Sequence, residues 1–127
     1  MALVYVVDDD PVICRLAQHI LNQAGYTVEL LHDGVEALEA MQRSTPDVLV
    51  TDLMMPNMSG LALIRHIRAD SRWSSLPIVV FTARGERSDR RQAEEAGVSH
   101  YLTKPFSSAQ LLEAVRRFAQ PNANPPS

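Results

Sequence analysis

The stretch that decides the fold is LVYVVDDDPVICRLAQHILNQAG, which covers Leu3–Gly25. Its first five residues, Leu3–Val7, are apolar and too few for a helix, so they predict a buried strand. Asp10 can cap a helix, and Pro11 suits the first helical position, where its missing N–H costs nothing. Apolar residues then recur at helical spacing as far as Gly25, a typical C-cap. A strand followed directly by an amphipathic helix predicts the first unit of an α/β sheet.

The same strand–helix unit recurs along the rest of the chain. The further predicted strands are Thr27–Leu31, Val48–Thr51, Ile78–Phe81 and His100–Thr103. One further helix is predicted from the capping pair Asp33 and Glu36 to about Gln42, and another is predicted after the cap Ser59. A third is predicted over Arg87–Ala96 and ends at Gly97, and the last follows the capping pair Ser107 and Gln110. Five strands that alternate with five helices imply an α/β fold, with a parallel sheet covered on both faces by right-handed crossovers.

Composition indicates one domain. Of the 127 residues 46% are hydrophobic, enough for a core without disulfides, and the single cysteine, Cys14, is expected to be a small buried residue. Residues 1–120 are assigned to this domain, and Pro121–Ser127 is expected to be a disordered tail or the start of a linker. The net charge of −3 gives no reason to expect direct nucleic-acid binding. Without a signal peptide or a long apolar run, we expect a cytoplasmic protein with no membrane contact.

Polar side chains follow four of the predicted strands. Asp8, Asp9 and Asp10 follow the first strand, Asp52 the third, Thr82 the fourth and Lys104 the fifth. In an open parallel sheet, sites form beyond the carboxyl ends of the strands, so these groups should meet at one edge. Crowded carboxylates repel one another, and a bound divalent cation relieves the repulsion. The ligands on offer are oxygens, which favours Mg²⁺ before Ca²⁺ and argues against zinc.

With a metal beside it, Asp52 becomes a nucleophile toward phosphorus. The metal and Lys104 can neutralise charge on the transferring group, and the Thr82 hydroxyl can bond one of its oxygens. Each residue alone has an ordinary explanation, and Asp10 is interpreted as a helix cap rather than a metal ligand. The joint placement of the others at separate strand ends favours a phosphoryl-transfer site.

Four ordered motifs carry a resemblance that extends from Leu3 to about Ala119. They are VVDDDP at Val6–Pro11, VTDLMMPNMSG at Val50–Gly60, VVFTA at Val79–Ala83 and YLTKPF at Tyr101–Phe106. Thr82 lies 30 residues after Asp52, and Lys104 lies 52 residues after it. In motifs and spacing the sequence resembles the receiver domains of bacterial two-component response regulators. The resemblance implies a flavodoxin-like (βα)5 three-layer sandwich with strand order 2-1-3-4-5.

The resemblance also implies the metal site. It assigns Asp52 as the phosphoacceptor and, together with Asp9 and the backbone carbonyl of Met54, as a direct Mg²⁺ ligand. Asp8 is expected to act through a metal-bound water, and Mn²⁺ is a possible substitute. Met54 and Arg84 occupy positions that tune the access of attacking water in this family. Because Met54 has no group to orient a water, and Arg84 can shield the phosphoryl group, we expect slow self-dephosphorylation.

Further roles follow from the same resemblance. Lys104 is expected to pair with the phosphoryl group, and the backbone N–H of Ala83 to face one of its oxygens. The Thr82 hydroxyl is expected to move toward the phosphoryl group and leave space into which Tyr101, the switch aromatic, can turn. The surface of the fourth helix, fifth strand and fifth helix would then change. The alternative for Tyr101, a half-buried strand residue with a hydrated hydroxyl, stays open.

The implied partners are a sensor histidine kinase or a histidine phosphotransfer protein as donor, and a downstream effector domain or protein as output. A phosphorylation-dependent homodimer through the face of the fourth helix, fifth strand and fifth helix is an open alternative to a monomer. The chain is expected to catalyse only its own phosphoryl transfer and slow self-dephosphorylation. The sequence leaves open the cognate kinase, the output pathway, and whether the chain is a stand-alone protein or a fragment of a larger regulator.

Two other functions stay open. Asp8–Val12 also resembles the D-x-D-x-[TV] pattern of haloacid-dehalogenase phosphohydrolases, with Asp8 as nucleophile and Asp10 as acid/base. Against this function, no pair of acids follows the fourth strand, and Asp52 would have no role. The second alternative is a pseudo-receiver, an interaction module that is never phosphorylated. Pseudo-receivers usually lack an acidic residue, the threonine or the lysine, and this sequence has all of them.

Overall fold

The computed structural model describes residues 2–55, 57–82 and 87–121, without the side chains of residues 87–89. Its strands are β1 (Leu3–Val7), β2 (Thr27–Leu31), β3 (Val48–Thr51), β4 (Ile78–Thr82) and β5 (His100–Thr103). Its helices are α1 (Pro11–Gln23), α2 (Gly34–Arg43), α3 (Gly60–Ala69), α4 (Arg87–Ala96) and α5 (Ser108–Arg116). The strands form a parallel sheet in the order β2-β1-β3-β4-β5, so the predicted fold class and strand order are confirmed.

Each face of the sheet is covered by a hydrophobic core, because successive side chains of a strand point to opposite faces. On β1, Tyr5 and Val7 pack into the core beneath α2, α3 and α4. Val4 and Val6 pack into the second core, beneath α1 and α5. Every residue of β3 and β4 is buried, as expected of central strands covered on both sides. This three-layer arrangement brings the carboxyl ends of all five strands to one edge.

The predicted capping residues directly precede α1, α2, α3 and α5. The Asp10 carboxylate accepts a hydrogen bond from the Val12 N–H at 2.9 Å, and Pro11 takes the first helical position. The side chains of Asp33, Ser59 and Ser107 cap α2, α3 and α5 in the same way. Since the Asp10 side chain is engaged by the helix N-terminus, its interpretation as a cap is confirmed.

Two elements extend one residue beyond their predicted ends. α2 continues to Arg43, and β4 continues to Thr82, which pairs with Thr103 of β5. The prediction ended β4 at Phe81 because its apolar run ends there, whereas the ladder itself is set by backbone pairing. Thr82, a predicted site residue, is therefore a buried strand residue instead of a loop residue.

α4 is held in place partly by a polar contact. Its apolar side is small: Ala93 is fully buried, and most of the helix is charged or polar. The Arg68 guanidinium of α3 donates to the Gly97 carbonyl at 2.8 and 3.0 Å and to the Trp73 carbonyl at 3.3 Å. Gly97 has φ 97°, which a glycine adopts without steric cost. Arg68 therefore ties the carboxyl end of α4 to α3.

Cys14 is buried in α1, and its thiol donates to the Asp8 carbonyl at 3.2 Å. Burial raises the pKa of this thiol to about 11, so it stays protonated at neutral pH and is a poor nucleophile. Its predicted role as a small buried residue is confirmed. Separately, no helix in the described part of the chain is long and apolar enough to cross a membrane.

Candidate metal centre at the carboxyl edge of the sheet

Backbone pairing continues past the strand ends and fixes the residues that follow them. The Asp8 N–H donates to the Leu31 carbonyl at 3.0 Å, and the Asp52 N–H donates to the Val7 carbonyl at 3.0 Å. The Lys104 N–H donates to the Thr82 carbonyl at 2.8 Å. Three side chains distant in the chain are thus held at one edge by the sheet itself.

Three carboxylates meet at this edge. Asp8, Asp9 and Asp52 each offer an oxygen, and these oxygens lie within 4.8 Å of one another. Asp8 is fully buried and Asp52 is 7% exposed, while Asp9 is exposed. Burying two carboxylates side by side is unfavourable unless cations compensate them. An all-oxygen donor set of this charge fits a hard divalent ion such as Mg²⁺.

Lys104 supplies a cation from the protein itself. Its ammonium nitrogen lies 2.8 Å from Asp8 Oδ2 and 3.2 Å from Asp52 Oδ2. The same nitrogen lies 5.0 Å from the centre of the Phe81 ring, which places it over an aromatic face. The Lys104 side chain is 15% exposed, so solvent screens these ion pairs only weakly. The peptide bond from Lys104 to Pro105 is cis.

Backbone N–H groups hold the remaining carboxylate oxygens. Asp52 Oδ1 accepts hydrogen bonds from the N–H of Leu53 at 2.7 Å and from that of Met54 at 3.3 Å. Asp8 Oδ1 accepts from the Asp10 N–H at 2.9 Å. On each of these two carboxylates, Oδ1 is bound by the backbone and Oδ2 faces Lys104. The orientation of the Asp52 carboxylate is therefore fixed by its own loop.

The electrostatics of the pair follow from burial and proximity. Burial raises the pKa of Asp8 above its ordinary value, and this outweighs the lowering by the hydrogen bond from Lys104. Burial alone lowers the pKa of Lys104, but the hydrogen bond to Asp8 and the charges of Asp52 and Asp8 together raise it above its ordinary value. Lys104 consequently stays protonated while it neutralises the two carboxylates.

The other predicted site residues lie around this centre. Thr82 is 2% exposed at the end of β4, and Tyr101 is half-buried on β5, paired with Val80 in the ladder. Met54 is 57% exposed, and its backbone N–H donates to Asp52 of the acidic cluster. The predicted contributions of Ala83 and Arg84 lie outside the described residues.

Sequence reasoning missed two contacts, one made by the predicted switch residue Tyr101 and one made by the loop that follows Asp52. The Arg90 guanidinium lies over the Tyr101 ring, 5.5 Å from its centre. Asn57 donates to Asp33 across the loop that follows β3. The placement of an asparagine directly after Pro56 was a turn signal, but nothing in the sequence indicated its partner. Both contacts join residues from separate elements, so only the folded chain reveals them.

A parallel sheet of this order, with an acidic cluster and a lysine at its carboxyl edge, defines a receiver-like α/β signalling domain. The family model described as the response regulator receiver domain matches residues 4–116. The chain therefore belongs to the response regulator receiver domain family, a family of signalling domains rather than metabolic enzymes. The haloacid-dehalogenase alternative is not favoured, because Asp10 is engaged as a cap and Asp52 lies beside Asp8.

Named relatives and solved structures agree with this assignment. Over 113 residues the chain is 46% identical to the response regulator MprA of Mycobacterium ulcerans, covering 89% of this chain and 48% of the relative. The chain thus spans about half the length of the curated relatives it matches. The chemotaxis response regulator CheY4 of Vibrio cholerae superposes with a TM-score of 0.87 at 34% identity, over 94% of this chain and 99% of that one.

A second solved structure bears on the acidic cluster. The receiver domain of the sensor histidine kinase PA1611 from Pseudomonas aeruginosa is 32% identical, with a TM-score of 0.86. The match covers 92% of this chain and 96% of that one. The PA1611 domain has a magnesium ion coordinated in its active site cleft.

Proposed function

We propose that this chain is a phosphorylation-dependent switch that accepts a phosphoryl group on Asp52 with the help of Mg²⁺. The observation that carries the proposal is the arrangement of Lys104, whose ammonium contacts both Asp8 and Asp52 within a cluster of three carboxylates. A lysine and a bound divalent cation beside one carboxylate would suit phosphoryl transfer, which depends mainly on positioning and charge neutralisation.

The proposed Mg²⁺ ligands are Asp9, Asp52 and the backbone carbonyl of Met54, with Asp8 acting through a water. The oxygen donors of the acidic cluster suit this ion, and Mn²⁺ should substitute for it. When bound, Mg²⁺ neutralises negative charge on the transferring phosphoryl group. Asp8 and Asp9 are proposed only to bind this ion, and neither carboxylate reacts with the phosphoryl group.

Asp52 Oδ2 is the proposed nucleophile, because Oδ1 is occupied by the N–H groups of Leu53 and Met54. Oδ2 forms the new O–P bond while the N–P bond of a phosphohistidine breaks, and the departing imidazole nitrogen keeps the electron pair. Lys104, already 3.2 Å from Oδ2, then pairs with the phosphoryl oxygens. The Thr82 hydroxyl and the Ala83 N–H complete their hydrogen bonding.

The output is proposed to begin at Thr82. Its hydroxyl moves toward the phosphoryl group and makes room for Tyr101, which lies on the neighbouring strand. Turning Tyr101 breaks its contact with Arg90 of α4 and changes the surface formed by α4, β5 and α5. Slow self-dephosphorylation is proposed as well, since the exposed Met54 side chain has no group that orients a water and Arg84 can shield the phosphoryl group.

The partners are proposed by analogy with full-length response regulators. A sensor histidine kinase or histidine phosphotransfer protein supplies the phosphoryl group, and an effector domain or protein receives the signal. Residues 1–120 form the receiver unit, and residues 121–127 are the tail or the start of a linker. The same proposal includes a cytoplasmic location and a phosphorylation-dependent homodimer that forms through the face of α4, β5 and α5.

Incubation with acetyl phosphate tests the proposal. The unmutated protein, Asp52→Asn and Asp8→Asn are each incubated with acetyl phosphate and Mg²⁺ or a chelator, and intact masses are recorded. We expect one added phosphoryl group on the unmutated protein with Mg²⁺, none on Asp52→Asn, and reduced uptake by Asp8→Asn. Uptake that survives Asp52→Asn but is lost in Asp8→Asn would favour a hydrolase, and no uptake at all would favour a pseudo-receiver.

A further inference from the structure

A polar link joins the start of α2 to the loop that carries the phosphoacceptor. Asn57 Nδ2 donates to Asp33 Oδ2 at 2.8 Å, although the two residues are 24 positions apart. The other oxygen of the same carboxylate, Oδ1, accepts the Glu36 N–H at 2.8 Å and so caps α2. One carboxylate thus holds a helix end with one oxygen and the β3–α3 loop with the other.

The linked residue has an unusual backbone conformation. Asn57 has φ 67°, in the left-handed region that asparagine tolerates better than other residues with a side chain. An apolar contact supports the link: a Cβ added at Gly34 would lie 2.8 Å from Met58 Sδ, so the start of α2 packs closely on the loop. The loop is therefore held from the side at two successive residues, Asn57 and Met58.

The same loop orients the acidic cluster. It begins at Asp52, whose Oδ1 accepts the N–H groups of Leu53 and Met54, and it closes where the Gly60 N–H donates to the Leu53 carbonyl at 2.8 Å. A Cβ at Gly60 would lie 1.8 Å from the Asp52 carbonyl oxygen, so the closure is too tight for any other residue. Only Met55 and Pro56 separate Asn57 from Met54 in the chain, so Asn57 lies close in sequence to the peptide groups that bind Asp52.

We propose that Asp33 and Asn57 form a positioning pair for divalent cation binding at the acidic cluster. Their hydrogen bond holds the loop so that the Leu53 and Met54 peptide groups keep Asp52 directed toward Asp8 and Asp9. This proposal depends on one part of the proposed function, namely that the acidic cluster binds Mg²⁺. Neither residue touches the metal or the phosphoryl group, and their effect is transmitted through the loop backbone.

Two single variants remove the link and spare the other roles of these residues. Asp33→Ser keeps a side-chain oxygen that can cap α2, but the shorter side chain does not reach Asn57. Asn57→Gly leaves the cap untouched and accepts the left-handed φ. The exchange Asp33→Asn with Asn57→Asp reverses donor and acceptor, so the link is restored while an amide oxygen remains for the cap. Asp47→Asn, at the opposite edge of the sheet, is the control for loss of one charge.

The Mg²⁺ dissociation constant is measured by following the Leu53 and Met54 amide resonances during titration with MgCl2, and their hydrogen exchange is measured in chelator. For Asp33→Ser and Asn57→Gly we expect Mg²⁺ binding to weaken about three- to tenfold, the effect of one lost hydrogen bond, with faster exchange of both amides. The exchanged pair should recover to within about twofold, and Asp47→Asn should match the unmutated protein.

Urea unfolding separates positioning from stability. A purely structural role would lower the free energy of unfolding and leave the Mg²⁺ dissociation constant of the folded protein unchanged, which would overturn the proposal. Failure of the exchanged pair to recover binding would also overturn it. If the unmutated protein itself binds no Mg²⁺, the proposed function fails and the positioning role fails with it.

Discussion

The ammonium nitrogen of Lys104 lies 2.8 Å from a carboxylate oxygen of Asp8, although 96 positions separate the two residues in the chain. The contact spans the sheet from β1 to the end of β5, so it forms only when all the intervening strands are paired. Lys104 is also the only lysine of the sequence. A single cation thus offsets the repulsion between two buried carboxylates, and this relationship yields the first two predictions.

Replacing the lysine should destabilise the metal-free protein. Lys104→Met keeps the apolar stem of the side chain but leaves Asp8 and Asp52 without their cation. We expect a loss of about 3 kcal/mol in the free energy of unfolding in chelator, measured by urea denaturation. Mg²⁺ should recover part of the loss, because it binds the folded state more tightly once its competitor is gone. Arg15→Met, which removes an exposed cation of α1, is the control. Equal stability of Lys104→Met and the unmutated protein would contradict the prediction.

The raised pKa of Lys104 predicts that its side-chain amine is modified slowly by reagents that attack free amines. A raised pKa keeps the ammonium protonated to higher pH, so the reactive free amine is scarce below the ordinary value of 10.5. Asp8→Asn removes a hydrogen-bonded negative partner, so the pKa should fall and the free amine become more abundant.

Reductive methylation at about pH 9 in chelator, followed by peptide mass mapping, measures this change. We expect modification of Lys104 to be several-fold faster in Asp8→Asn than in the unmutated protein. Asp47→Asn has the same net charge and should modify at the unmutated rate. Equal rates in all three proteins would show that Asp8 does not control the lysine.

The hydrogen bonds from Arg68 to the carboxyl end of α4 give the third prediction. Arg68→Met removes the donors that bind the Gly97 and Trp73 carbonyls, and α4 has too little apolar surface to compensate. We expect a loss of about 1 kcal/mol in stability, with faster hydrogen exchange concentrated in the amides of α4. Arg65→Met changes an exposed arginine of α3, the helix that carries Arg68, and should leave the hydrogen exchange of α4 unchanged. Exchange that rises uniformly along the chain would contradict a local role for Arg68.

The sequence predicts most of the fold because local patterns determine its elements. Leu3–Val7 is too short and too apolar for anything but a buried strand, and Asp10 with Pro11 places the start of α1. Convergence of Asp8, Asp52 and Lys104 followed from one rule of parallel sheets, that strand ends share an edge. The convergence of these three residues could be predicted from the order and direction of the elements alone.

The contacts that were not predicted depend on loop conformation and long side chains. The Asp33–Asn57 link is made by a residue with a left-handed backbone, and the Arg68–Gly97 contact spans 29 positions. Neither residue type signals its partner, because arginine donors and aspartate oxygens find many partners of similar energy at a protein surface. Such contacts become visible only when the strands have fixed where each loop begins and ends.

The most direct test of the central claim is the identity of the phosphorylated residue. Borohydride reduces an acyl phosphate to an alcohol, so a phosphorylated aspartate becomes homoserine and stays marked through peptide mapping. After treatment with acetyl phosphate and Mg²⁺, we predict homoserine at position 52 and aspartate retained at positions 8 and 9. Homoserine at position 8, or a phosphorylated protein in which position 52 remains aspartate, would contradict Asp52 as the phosphoacceptor.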